Sequence, residues 1–102
     1  MNHAAFDEVR ALIGTERALS LLSDFARDLG QRFGSEAPDD LAFDAHAVIS
    51  PAGTFGFSEL ACVCREVEEA CRADCEIAVL RTRLGRVRRD ALDEIDWLQI
   101  AG

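Results

Sequence analysis

The chain has 102 residues, of which 49% are apolar, 7 are glycine and 2 are proline, a composition that predicts one folded domain over residues 1–102. The formal charge of -8, from 19 acidic and 11 basic residues, repels a phosphodiester backbone and argues against nucleic acid as a partner. Because no apolar run approaches the roughly 18 residues that span a bilayer and no signal peptide is recognisable, we expect a soluble cytoplasmic protein with no membrane partner.

Apolar residues recur at helical spacing through almost the whole chain, which predicts an all-α fold. The first segment, AAFDEVRALI, predicts a short amphipathic helix with Phe6, Val9 and Ile13 on one side. Gly14 is expected as a left-handed C-cap of this helix, and Thr15 as the N-cap of the next one.

The second helix is predicted to end at Gly34. Its apolar stripe consists of Ala18, Leu22, Phe25, Leu29 and Phe33. The following stretch, GSEAPDD, is the clearest loop in the chain. Pro38 suits the first turn of the next helix, and Asp39 and Asp40 are favourable near its positive end.

The third helix contains a proline, which removes one backbone donor and crowds the preceding turn. Its predicted buried stripe is Leu41, Ala45, Val48, Ala52 and Phe55. We expect Pro51 to cause a bend or a restarted turn near residues 47–51, with Ser50 as the N-cap of the restarted turn. His46 does not lie on the stripe.

Two further helices follow the turn TFGF, separated by a break at RADCE. The first carries Leu60, Val63, Cys64, Val67 and Cys71, and the second carries Ile77, Leu80, Leu84, Val87, Ala91, Ile95 and Leu98. Short links oblige consecutive helices to pack as antiparallel neighbours. We therefore predict an up-down-up-down antiparallel four-helix bundle with a short extra N-terminal helix, as a monomer in preference to an oligomer. A helical oligomerisation domain built on the heptads of the last helix is an alternative.

Four cysteines lie within residues 62–75, but their C-x-C-x6-C-x3-C spacing lacks the paired knuckles of structural zinc sites. On a helix, Cys64, Cys71 and Cys75 would share one face, so we expect them to be reduced and buried as small hydrophobes. The sequence has no H-x3-H pair, glycine-rich phosphate loop or nucleophile elbow. We predict no metal, no cofactor and no autonomous catalytic activity.

His46 is the candidate functional residue. On a helix, Ile49, Ser50 and Gly53 share its surface at i+3, i+4 and i+7, and the preceding turn offers Ala42. Small neighbours leave the imidazole open to the approach of another protein. The apolar stripe provides no polar partner for a buried histidine, so we expect His46 to be exposed.

The segment AHAVISPAGTFGFSELACVCREVEEA, residues 45–70, resembles the signature of histidine-containing phosphotransfer (HPt) domains of bacterial two-component phosphorelays. That signature runs roughly A-H-x-L-K-G-S-A-G-x-x-G and then L-x-x-L-C-x-x-L-E. The matching positions are Ala45, His46, Val48, Ala52, Gly53, Gly56, Leu60, Val63, Cys64, Val67 and Glu68. The resemblance implies that His46 accepts a phosphoryl group from an aspartate of one response-regulator receiver domain and passes it to another. The implied partners are receiver domains, with a hybrid histidine kinase as a further candidate.

The chain departs from the signature immediately after the histidine. Ile49 stands where the family usually has lysine, Ser50 where it has glycine and Pro51 where it has a small residue. A lysine would stabilise the phosphoryl group by its charge, so we expect Arg65 or Arg72, level with His46 on an antiparallel neighbour, to supply a cation instead. The alternative function is a degenerate HPt-like module that docks a receiver or kinase without being phosphorylated.

Overall fold

The chain folds into five α-helices, as expected for the all-α class, and the computed structural model describes residues 1–101, in which no strand occurs. The helices are α1 (His3–Ile13), α2 (Thr15–Gln31), α3 (Pro38–Thr54), α4 (Ser58–Arg72) and α5 (Ala78–Ala101). The described part measures 42 × 21 × 17 Å. Its long dimension is close to the roughly 36 Å length of a 24-residue helix, so the helices lie along one another.

The predicted apolar stripes form the core. The buried stripe residues are Ala18, Leu22, Phe25 and Leu29 of α2, Leu41, Ala45, Val48 and Ala52 of α3, Leu60, Val63, Cys64 and Val67 of α4, and Leu84, Val87, Ala91 and Ile95 of α5. Phe55 and Phe57, in the link between α3 and α4, complete this core with Phe6 of α1. The rings of Phe25 and Phe55 lie 5.7 Å apart, within the range of favourable aromatic pairs.

The junction between α1 and α2 differs from the prediction by one residue. Gly14 is both the C-cap of α1 and the N-cap of α2, and α2 begins at Thr15, so Thr15 is not a cap. Gly14 has a φ of 89° and a ψ of 158°, which is not the left-handed helical conformation that we expected. A single glycine at positive φ reverses the chain direction here without a longer turn.

α2 ends at Gln31, before the predicted stop at Gly34. Phe33 has a φ of 68° and therefore lies outside the helix, although its half-buried ring still packs against the core. The Asp44 carboxylate accepts hydrogen bonds from Arg32 Nη1 (2.9 Å) and from the Phe33 N–H (3.1 Å). These bonds to α3 replace the helical bonds that the periodicity of the sequence predicted.

α3 continues through Pro51, so the restarted turn with Ser50 as its N-cap is not formed. Pro51 cannot donate to the Ala47 carbonyl, but it lies only three residues before the helix ends and one bond is lost. The helix continues to Thr54, and the Phe55 N–H then donates to the Pro51 carbonyl (3.1 Å). Thr54 Oγ1 donates to the Ser50 carbonyl (3.0 Å) in the same turn.

The cysteines do not share one buried face. Cys64 is buried in α4, Cys71 is half-buried, and Cys75 is exposed in the turn that follows Arg72. Asp74, at a φ of 57°, turns the chain away from the helix before Cys75 is reached. Burial raises the pKa of the Cys64 thiol to about 12, so this cysteine behaves as a small hydrophobe.

α3 packs most extensively against α4, while α5 packs against α4 and α2. Arg83 and Arg86 of α5 form ion pairs with Glu66 (3.0 Å) and Glu59 (3.3 Å) of α4. α5 also provides hydrogen-bond donors for the carbonyls at the C-terminal end of α2. Arg88 donates to the carbonyls of Leu29 (3.0 Å) and Gly30 (2.9 Å).

α1 lies across the link between α3 and α4. The Asn2 N–H donates to the Gly56 carbonyl at 2.6 Å, and the Phe6 ring contacts that of Phe55 at 6.4 Å between centroids. The Asn2 side chain caps α1 by accepting from the Ala4 N–H (3.0 Å). The first residues therefore hold the α3–α4 link in place.

Within the described residues, no helix combines the length and the apolar character that crossing a bilayer requires.

Candidate functional site

His46 lies in the middle of α3, and 72% of its side chain is exposed. The neighbouring residues Ala45 and Val48 are directed into the core. Because α3 turns this stripe inward, His46 faces outward. The exposure of His46 agrees with its position off the apolar stripe.

The His46 ring is held by a carboxylate from α4. His46 Nδ1 lies 3.0 Å from Glu68 Oε2 and 3.2 Å from Oε1. The buried residues Val67 and Cys64 fix the rotation of α4 and place Glu68 where the two helices meet. Only 15% of the Glu68 side chain is exposed, whereas the ring that it contacts faces solvent.

Arg72 holds the same carboxylate from the next turn of α4. Its Nε and Nη2 atoms donate to Glu68 Oε2 at 3.1 and 2.8 Å. The bonds from Arg72, and secondly that from His46, hold the pKa of Glu68 below its usual range. Glu68 is therefore ionised at neutral pH.

These contacts determine which nitrogen of His46 is free. An ionised carboxylate can only accept hydrogen bonds, so Nδ1 must carry the proton that it shares with Glu68. In the neutral ring, Nε2 then has the unshared electron pair. Nε2 has no hydrogen-bond partner among residues 1–101. The site thus presents an oriented imidazole with its nucleophilic nitrogen exposed.

A cleft of about 280 Å³ opens beside His46, between the beginning of α3 and the end of α4. It is lined by Asp39, Ala42, Phe43, His46, Cys71 and Arg72. Ala42 is buried, whereas 70% of Phe43 is exposed. The cleft therefore combines an apolar wall with the exposed imidazole.

The structure divides the predicted neighbours of His46 into two groups. Ala42 and Arg72 line the cleft with it. Ile49 is half-buried against the core, so only part of its side chain is available to a partner. Ser50 and Gly53 are exposed, and a Cβ added to Gly53 would meet nothing within 4 Å.

The two arginines that the sequence predicts as cations near His46 also differ in their contacts. Arg72 is part of the His46–Glu68 network. Arg65 is exposed and makes no ion pair within the described part of the chain. It precedes Glu68 by three residues, so both lie on the same face of α4, with Arg65 one turn further from Arg72.

Two residues of the site, Glu68 and Phe43, were not predicted from the sequence. Glu68 closes the signature and precedes Arg72 by four residues, a spacing at which opposite charges meet on a helix. Phe43 precedes His46 by three residues and so lies on its face, but aromatic residues at helical spacing usually belong to the core. The spacing to Arg72 was therefore a usable signal for Glu68, and only the structure identified Phe43.

No three histidine, cysteine, aspartate or glutamate side chains of the described residues come close enough together to hold a metal ion.

Comparisons with known proteins identified no relative, since no family model, no curated protein and no solved structure matches the chain.

Proposed function

We propose that this chain is a histidine phosphotransfer protein that relays a phosphoryl group between aspartates of receiver domains through His46. One observation carries the proposal: the exposed imidazole of His46 is oriented through Nδ1 by the ionised Glu68, which leaves Nε2 as a nucleophile. We place this relay in the cytoplasm and assign it to the monomer.

The fold that goes with this function is an up-down-up-down antiparallel bundle of α2 to α5, with α1 as the extra helix. The links span only residues 32–37, 55–57 and 73–77. The order of contacts along α5 is opposite to the order along α4, since Arg83 meets Glu66 and Arg86 meets Glu59. In this arrangement the exposed face of α3 is accessible to a receiver domain.

The transfer needs little from this chain beyond a positioned nitrogen. The Nε2 electron pair attacks the phosphorus of the aspartyl phosphate, the P–O bond to the aspartate breaks, and the carboxylate leaves with its electron pair. The ring retains its Nδ1 proton and becomes positively charged. Glu68 accepts a hydrogen bond from that proton, so its negative charge stabilises the charged ring. In the second half-reaction, an acceptor aspartate attacks phosphorus and the N–P bond breaks.

Arg72 is the residue that we assign to the role of the absent lysine. Arg72 lines the same cleft as His46, and 66% of its side chain is exposed. A guanidinium has five donors in a planar fork, so it can bind Glu68 and a phosphoryl oxygen together. Mg²⁺ and the carboxylates that bind it belong to the receiver domain.

The test is transfer of label from an aspartyl-phosphorylated receiver domain in the presence of Mg²⁺. We expect the chain to take the label in an acid-labile, alkali-stable bond, and His46→Gln to abolish labelling. His3→Gln is the matched control, because His3 is the other histidine and 61% of its side chain is exposed. If the wild-type chain binds receivers and is never labelled, it is a docking module and the relay is wrong.

A further inference from the structure

Phe43 provides a large exposed apolar side chain on one side of His46. Large apolar side chains are exposed at Leu12, Leu21, Phe43, Val79, Trp97 and Ile100. Of these six, only Phe43 lines the cleft that contains His46. An exposed apolar residue is unremarkable by itself, but one that borders a reactive group within a cleft marks a contact surface.

We propose that a receiver domain docks on this cleft, placing an apolar side chain against Phe43 and a basic side chain against Asp39; the proposal rests on the phosphotransfer function of His46. Ala42, Phe43 and Cys71 form the apolar part of the cleft. Because His46 lines the same cleft, a receiver bound there brings its phosphorylated aspartate to Nε2.

The charges around the cleft determine the chemistry of the partner. This end of the molecule is formed by the link before α3, the beginning of α3, the end of α4 and the following turn. It carries six carboxylates: Glu36, Asp39, Asp40, Glu69, Asp74 and Glu76. The arginines near these carboxylates are already paired, Arg32 of the link with Asp44, Arg72 with Glu68, and Arg81 of α5 with Glu36. Asp39 makes no ion pair with any described residue. A partner with basic residues around an apolar one therefore complements the cleft, whereas a second copy of this chain would be repelled.

The opposite side of His46 offers no comparable anchor. Ile49 is half-buried, and Ser50 and Gly53 have little side chain to contact a partner. Binding energy at protein interfaces is concentrated in a few large side chains near the centre of the contact. We accordingly assign the main contact with the receiver domain to Phe43. Ile49 and Gly53 then lie at the edge of the docking surface.

The experiment measures transfer as a function of receiver concentration, using purified receiver domains of the organism that encodes the chain, phosphorylated with acetyl phosphate and Mg²⁺. We expect Phe43→Ala to raise the half-saturating receiver concentration at least about fivefold, the effect of losing an interface anchor. The rate at saturation should hardly change, because Phe43 does not touch the reacting atoms. Phe43→Leu should restore most of the affinity. Asp39→Lys should also raise the half-saturating concentration, with a larger effect at low salt.

Trp97→Ala is the matched control, since Trp97 is an aromatic residue with 62% exposure near the far end of α5. If Phe43→Ala and Trp97→Ala leave the half-saturating concentration equally unchanged while the wild-type chain is labelled, the docking proposal is overturned and the relay stands. If receivers bind without transferring label, the relay is wrong, and the effect of Phe43→Ala on the receiver Kd supports or overturns the docking surface. Failure of every receiver to bind overturns both. A dimer of this chain that Phe43→Ala dissociates would show that the cleft binds a second copy instead.

Discussion

Gly56→Ala should destabilise the protein by about 2 kcal/mol. Gly56 has a φ of 83°, and this conformation costs an L-residue about 1–2 kcal/mol. An added Cβ would lie 2.9 Å from Asn2 Cβ and 3.0 Å from Asn2 N. Asn2 would have to move, and its hydrogen bond to the Gly56 carbonyl, worth about 1 kcal/mol, would be lost. The smaller conformational freedom of alanine in the unfolded chain offsets up to about 1 kcal/mol of this cost.

Urea unfolding followed by circular dichroism measures this difference, and the melting temperature should fall by about 10 °C for a domain of this size. Gly53→Ala is the matched control, because Gly53 lies within α3 and its added Cβ would meet nothing within 4 Å. Alanine at position 53 should be neutral or stabilising by up to about 1 kcal/mol. If the two variants agree within about 0.5 kcal/mol, the close packing of Asn2 on the α3–α4 link does not contribute to stability and the reasoning is refuted.

Three further predictions concern the site and the thiols. Ile49→Lys should lengthen the half-life of phosphohistidine, measured as loss of label after the receiver is removed, and Arg72→Gln should shorten it, each by about threefold, the effect of one exposed charge contact. Because the pKa of Glu68 is lowered in the folded state, the stability that wild type gains over Glu68→Gln should be present above pH 4.5 and be lost as the pH falls below it; a difference in unfolding free energy that grows towards acid pH would contradict this. At pH 8, Ellman's reagent should modify the exposed Cys62 and Cys75 rapidly and Cys71 more slowly, but should modify Cys64 only after unfolding, since burial raises its pKa to about 12.

The helices of the core were predictable because apolar periodicity determines which face of a helix is buried. The stripe of α3, from Leu41 to Phe55, is buried at every predicted position. His46 is exposed for the same reason, since it lies off this stripe. Apolar periodicity is judged over many residues, so a single unusual residue does not alter the predicted buried face of a helix.

The errors arose where a single contact determines the local structure. Phe33 follows the helical period, yet the Asp44 carboxylate binds its N–H and ends the helix before it. Cys75 keeps its spacing from Cys71, but the turn at Asp74 separates it from α4. Glu68 was recognised in the signature, although its contact with His46 depends on the rotation of α4, which spacing within one helix does not define.

Arg88 has a consequence for the order in which the molecule folds. The carbonyls that it binds lie 59 and 58 residues earlier in the chain, so the end of α2 is completed only after α5 has docked. The α3–α4 hairpin needs no such distant closure, because its helices are joined by three residues. Loop closure favours contacts between segments that are close in sequence. We expect the α3–α4 hairpin, which carries His46 and Glu68, to form early and the contact between α2 and α5 to form last. Native-state hydrogen exchange should then show that amides near Leu29 and Arg88 open before those around His46, so the site would outlast partial unfolding of the bundle.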